Sequence, residues 1–162
     1  MLFGIASSAD LVKSALIASV HYISFMVCFG TLVFERLRVK PNPNRVEALS
    51  MIIADVVYGL AGLTLLISGI LRVKYFGQGV EFYTHNPIFW IKIALFICVG
   101  LLSLYPTSTY IRWAIPLQKG DLPEVSQNLV NRLGLIINIE LFGFASIPIF
   151  ATFMARGIGL AS

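Results

Sequence analysis

The chain has 162 residues, of which 57% are hydrophobic and 12% are charged. Soluble domains of this size are about half apolar and about a quarter charged. The composition therefore argues against a soluble globular domain, a disordered chain or a disulfide scaffold. The net charge is +4, but no basic run is dense enough to suggest a nucleic-acid partner. We predict a membrane-embedded chain whose immediate partner is the lipid bilayer.

Four apolar segments are long enough to cross a bilayer about 30 Å thick, which needs about 20 helical residues. They are residues 14–34, 49–71, 88–105 and 133–155. The segments are continuously apolar rather than alternating, which argues against a barrel. Short links between four such helices predict an all-α, antiparallel four-helix bundle, with residues 1–162 forming a single transmembrane domain.

Orientation follows from the Lys and Arg residues in the loops, because cytoplasmic loops are enriched in them. The first and third loops carry seven: Arg36, Arg38, Lys40, Arg45, Arg112, Lys119 and Arg132. The opposite side carries four: Lys13, Arg72, Lys74 and Arg156. We therefore expect these two loops in the cytoplasm and both termini on the outer or lumenal side.

Helix-start signals precede the second and fourth spans. Asn44 followed by Glu47 predicts a capping box. Asp121, Pro123 and Glu124 predict a cap, a first-turn proline and an acidic first turn for the fourth helix.

The two hairpins show similar spacing. Asn44 and Asp55 in one correspond to Asn131 and Glu140 in the other. This pattern raises the hypothesis of a parallel two-hairpin repeat, with an axis along the membrane normal. A chance match remains the alternative.

Each predicted span carries one ionisable residue: His21, Asp55, Lys92 and Glu140. Charged groups at mid-membrane cost several kcal/mol, so they usually face the bundle and find partners there. At about 1.5 Å per residue, His21 and Lys92 are expected in the outer half, and the two acids in the inner half.

Small residues suggest which helix faces meet. In the second span, one stripe at helical spacing contains Asp55 and the residues Gly59, Gly62, Leu66 and Gly69. Because small side chains let helices approach closely, we expect this stripe to face the bundle.

The polar set suggests a chemistry. His21, the one histidine deep in a span, is a candidate ligand for a metal or for haem. Lys92 could hold an acidic group of a ligand or, when desolvated, act as a base. Asp55 and Glu140, if close, cannot both ionise cheaply, so they are candidates for a proton relay. The alternative is structural, with these groups hydrogen-bonded across helices to fix the bundle.

His85 lies just before the third span. The simplest interpretation is an interfacial surface histidine. If its loop folds inward, it becomes a second axial-ligand candidate opposite His21.

Several further motifs carry a family resemblance. They are Asp55-x-x-Tyr58-Gly59, Gly69-x-x-Arg72, Tyr83-x-x-Asn86-Pro87-x-Phe89-x-x-Lys92, Gly100-Leu101-Leu102-Ser103, Pro106-Thr107 and Met154-Ala155-Arg156-Gly157. Together they resemble the bacterial membrane family called domain of unknown function 2214, over nearly the whole chain. The resemblance implies a four-helix protein of a bacterial inner membrane or a thylakoid membrane, and it supplies no function.

A looser likeness connects the chain to haem-containing protoporphyrinogen oxidases of the HemJ type and to copper-resistance membrane domains. Those proteins also pair a histidine in the first span with a lysine near the start of the third. The likeness implies that His21 is an axial ligand of haem b and that Lys92 is a second ligand or porphyrin contact. The rest of the oxidase pattern is not evident.

Three functions remain open from the sequence. The first is a haem b redox protein, which could be an oxidoreductase acting on a porphyrin or quinone-like substrate. The second is a non-catalytic accessory or assembly subunit of a larger membrane complex, such as a photosynthetic one. The third is a transporter or metal-handling protein, for which a homodimer would be needed because four spans are few.

Overall fold

The computed structural model describes residues 8–159 and contains five α-helices. They are α1 (Ser8–Arg38), α2 (Arg45–Leu71), α3 (Val80–Thr84), α4 (Pro87–Lys119) and α5 (Gln127–Ala155). A π-helical segment, Arg72–Phe76, continues α2. All but the short α3 are long and apolar enough to cross a membrane, which confirms the predicted all-α four-helix membrane bundle.

The helices pack as two hairpins side by side. α1 packs along α2, and α4 packs along α5, while α2–α4 and α1–α5 contacts join the hairpins. Among the described residues the backbones of the diagonal pairs α1–α4 and α2–α5 are not in contact, so the four helices occupy the corners of a square. We call the end with the α1–α2 and α4–α5 connections the hairpin end, and the opposite end the terminal end.

The helix starts bear out one sequence prediction and contradict another. Asn44 and Glu47 form the expected capping box, with both reciprocal bonds at 2.9 Å. The predicted start at Asp121, Pro123 and Glu124 is wrong, because α5 begins at Gln127 with Ser126 as its cap. The preceding segment is non-helical and is held down by the buried Val125 side chain.

α4 extends well beyond the predicted third span. It runs through Pro106 and Pro116 to Lys119, where Gly120 adopts a left-handed conformation with φ 91° and stops the helix. Arg112 and Lys119 therefore lie on the hairpin-end part of a helix and not in a loop. The cations expected in the third loop therefore stay at the hairpin end of the bundle despite this change.

Two apolar clusters fill the bundle at different depths. The middle cluster consists of Cys28, Leu32, Tyr58, Leu65, Val99, Ile137 and Phe144. The hairpin-end cluster consists of Ala48, Met51, Tyr110, Trp113, Leu117, Val125 and Leu133. Tyr110 and Trp113 are buried in the hairpin-end cluster.

Candidate functional site

Buried or half-buried ionisable side chains form two groups at different depths. We call His21, Arg72 and Lys92, near the terminal end, the basic layer. We call Glu35, Asp55 and Glu140, towards the hairpin end, the acidic layer. Electrostatic interactions link His21 to both cations of its layer, and they link Glu35 to both other acids.

The His21 ring is fixed by two bonds to α2. Its Nδ1 lies 3.1 Å from the Leu65 carbonyl oxygen and 3.0 Å from the Ser68 hydroxyl. The carbonyl can only accept, and the Ser68 hydroxyl donates its proton to its own helix at the Thr64 carbonyl. Nδ1 must therefore carry a proton, so a neutral His21 keeps the free lone pair on Nε2.

Gly69 allows this close approach of α1 and α2. A Cβ atom at this position would lie 3.2 Å from His21 Cε1. That distance is tighter than ordinary van der Waals contact, so a larger residue would push the ring. The small residue at position 69 therefore helps set where Nε2 points.

The two cations of the basic layer differ in their partners. Arg72 donates to the Tyr22 hydroxyl at 3.3 Å and lies 5.0 Å from the centre of that ring. Lys92 is half-buried one turn inside α4, and none of the ion pairs of residues 8–159 involves it. Both cations can thus receive an anionic group near His21.

His85 lies outside this layer, at the end of α3. It is exposed, and its Nδ1 is 2.9 Å from the Glu81 carbonyl oxygen of its own helical turn. The described contacts do not bring it to His21. Whether it ligates a cofactor stays a prediction.

The acidic layer brings together the two acids that the sequence placed at one depth. Asp55 and Glu140 interact electrostatically across the bundle. Asp55 accepts a hydrogen bond of 2.7 Å from the Thr107 hydroxyl of α4. Glu140 is 0% exposed, and neither of its carboxyl oxygens has a hydrogen-bond partner among residues 8–159.

Two buried residues at this depth were not predicted from the sequence: Glu35, the third acid of the layer, and Tyr110, whose hydroxyl lies beside it. Each is 1% exposed, and the Glu35 Oε1 atom and the Tyr110 hydroxyl find no partner of ordinary geometry within the described chain. Glu35 could have been predicted from the sequence, because Glu35 lies on the same helix face as Cys28 and Leu32 at helical spacing. The first span was ended one residue too early, at position 34, to include it.

The middle cluster separates the two layers. Phe25 of α1 stacks on Phe144 of α5 with ring centres 4.9 Å apart. Val99 of α4 packs so closely on Gly143 of α5 that a Cβ atom there would lie 2.8 Å from a Val99 methyl group. Packed apolar side chains therefore lie between the basic layer and the acidic layer.

A metal site made of protein ligands alone does not emerge. Within residues 8–159, no group of three or more His, Cys, Asp or Glu side chains is placed to hold a metal ion. His21 has no second imidazole beside it among the described contacts. A metal carried by a macrocycle needs only one or two protein ligands, and the donor atoms at His21 suit that case.

Comparison with known proteins gives a family and one distant relative. The riboflavin transporter RibU of Leuconostoc mesenteroides is 28% identical over 159 residues, covering 91% of this chain and 75% of the transporter. No solved structure matches the chain. The profile of a family described as predicted membrane protein, DUF2214, matches residues 13–159. The chain thus belongs to the DUF2214 family of membrane proteins.

Proposed function

We propose that this membrane protein binds haem b through His21 and acts in electron transfer. The observation that carries the proposal is the orientation of the His21 ring. Ligating histidines generally donate their other N–H to a carbonyl or similar acceptor, which fixes the tautomer and the ring plane. The bonds of His21 Nδ1 to Leu65 and Ser68 have this form.

The neighbouring cations support the same proposal. Haem b carries two propionate groups, and burying anions near a membrane surface requires positive partners. Lys92 and Arg72 lie within electrostatic range of His21 and could bind those groups. Lys92 could alternatively help to hold the iron of haem b through a neutral amine.

Haem b would supply one-electron chemistry, and this chain would supply the surroundings. His21 would hold the iron, and the basic layer would orient the carboxylates. Asp55 and Glu140 would hold protons that accompany electron transfer. A porphyrin or quinone-like molecule is the substrate class that we propose, because such molecules are apolar enough to reach the site from the bilayer.

Haem titration of the detergent-purified full chain tests this proposal. We expect a Soret band at one haem per chain, and its loss in His21→Ala. Ser19→Ala on the same helix is the control, because Ser19 is exposed and bonds only to its own helix. The proposal is wrong if folded wild-type protein shows no haem spectrum, or if His21→Ala binds haem as wild type does.

The distant similarity to a riboflavin transporter favours a second candidate, a transporter for a small aromatic ligand. Both the family match and the relative span most of the chain, so the similarity is not confined to one helix. In that case the basic layer would bind the ligand. Riboflavin fluorescence, measured during titration with the purified protein, would be quenched, and haem titration would give no specific band.

We further propose that the hairpin end faces the cytoplasm of a bacterial cell or the stromal side of a thylakoid. The basis is the excess of Lys and Arg at that end. Lys119→Cys and Lys74→Cys, each introduced after both native cysteines are replaced (Cys28→Ser and Cys98→Ser), test it in intact cells. An impermeant thiol reagent should label the second and spare the first, and the reverse pattern would invert the topology.

A further inference from the structure

Three buried carboxyl groups meet in the acidic layer without a positive partner. Glu35 of α1, Asp55 of α2 and Glu140 of α5 interact electrostatically with one another. The ion pairs of residues 8–159 are Lys13–Asp10 and Lys40–Glu47, and neither involves the layer. Arg36, the neighbour of Glu35, turns away and donates to Asn138 at 2.7 Å.

A second observation comes from α4. The Tyr110 hydroxyl is buried beside the same three carboxyls and makes no hydrogen bond of ordinary geometry within the described chain. It is a neutral group that can donate to a carboxylate or accept from a carboxylic acid. The Tyr110 hydroxyl, one Glu35 oxygen and both Glu140 oxygens are thus buried polar atoms of one layer that lack an ordinary hydrogen-bond partner within residues 8–159. Such atoms indicate a small occupant that can bond to them.

The surroundings limit what that occupant can be. The facing groups from each packed helix are Cys28 and Glu35, Asp55 and Tyr58, Thr107 and Tyr110, and Glu140. All are acidic or neutral, so no cation among residues 8–159 is placed to offset the carboxylates. The carboxyls are not grouped closely enough to hold a metal ion together. Protons, carried by the carboxyls and by water, remain the fitting occupants.

We infer that Glu35, Asp55, Glu140 and Tyr110 form an internal proton-binding site that keeps carboxyl groups protonated at neutral pH. The cost of placing several like charges in a dry interior favours the protonated forms. The site extends the expected Asp55–Glu140 pair to three helices and one hydroxyl, and it does not depend on which ligand His21 binds.

Infrared spectroscopy of the full chain in liposomes tests the inference. Protonated carboxyl groups give a C=O band well separated from that of carboxylates, and the band shifts in heavy water. We expect this band at pH 7 in wild type, reduced in Glu140→Gln and in Glu35→Gln. Glu124→Gln, an exposed acid at the same end, is the matched control and should leave the band unchanged.

Glutamine mimics the protonated acid in shape and in neutrality, so both buried variants should fold as well as wild type. If a variant fails to fold, the pH titration of the infrared C=O band in the wild-type protein still tests the proposed site. A protonated band that persists at pH 7 and disappears only at more alkaline pH supports the site. Carboxylate bands alone at pH 7 would overturn it, as would a protonated band that Glu124→Gln removes and Glu140→Gln spares.

Discussion

The basic and acidic layers lie in one bundle but are built in opposite ways. In the basic layer His21 and Arg72 are hydrogen-bonded, and all three groups are partly accessible. In the acidic layer Glu35 and Glu140 are fully enclosed and retain unpartnered oxygens. In the basic layer the hydrogen bonds orient the His21 ring. In the acidic layer buried carboxyl oxygens are left without hydrogen bonds inside a packed core.

The two layers therefore show two different uses of a polar side chain, one held in a fixed orientation and one with unsatisfied hydrogen-bonding atoms. A group with fixed bonds presents one atom in one direction, as His21 presents Nε2. A group without bonds lowers stability, because burying an unpaired polar atom is unfavourable. Such a group is retained when its unused capacity serves a function. The contrast predicts opposite stability effects of substitutions in the two layers.

The largest expected effect is in the acidic layer. Glu140→Leu removes a buried carboxyl that has no hydrogen-bond partner among residues 8–159, so we expect it to stabilise the fold by about 1–3 kcal/mol. The measurement is the midpoint of thermal unfolding in detergent. Glu124→Leu, on an exposed acid, is the control and should change little. A strongly destabilised Glu140→Leu would mean that the carboxyl has a stabilising partner.

The separation between the layers is tested by Gly143→Ala. The added Cβ would approach a Val99 methyl to 2.8 Å, and overpacking of this kind costs about 1–3 kcal/mol. The double variant Gly143→Ala/Val99→Ala should recover part of that loss. Gly100→Ala is the matched control, since nothing lies within 4 Å of its added Cβ and alanine favours helix. Equal unfolding midpoints for Gly143→Ala and Gly100→Ala would contradict the tight contact.

A smaller effect is expected in the basic layer. Ser68→Ala removes one of two acceptors of His21 Nδ1, which should cost about 1 kcal/mol and loosen the ring. Ser19→Ala removes only an exposed bond within its own helix and serves as control. Thermal unfolding and haem titration of both variants are the measurements. If the two variants behave alike, Ser68 does not orient His21.

Depth along the bundle was predictable from sequence, because helical rise converts residue number into distance. That arithmetic placed Asp55 beside Glu140, and the structure brings them into one layer. It also placed His21 at the depth of Lys92. Distances along the helix axis do not predict the order in which the four helices are arranged around the bundle.

The helix faces were less predictable. The stripe through Gly59 and Leu66 was expected to face the bundle, but both are exposed. The buried face lies about one residue away, at Tyr58, Leu65 and Ser68. In a membrane, lipid-facing and core-facing side chains are equally apolar, so hydropathy does not distinguish them. Gly69 does make a close contact, with His21, because it lies beside Ser68.

The visible spectrum of the protein, purified in detergent from its own membrane, tests the central claim most directly. Oxidised and reduced spectra should show a Soret band and sharp reduced bands of a b-type haem, and His21→Ala should lack them. A featureless wild-type spectrum, even after haem is added, would contradict haem binding at His21. His21 would then serve only as a hydrogen-bonded link between α1 and α2, and the result would favour the second candidate function, a transporter.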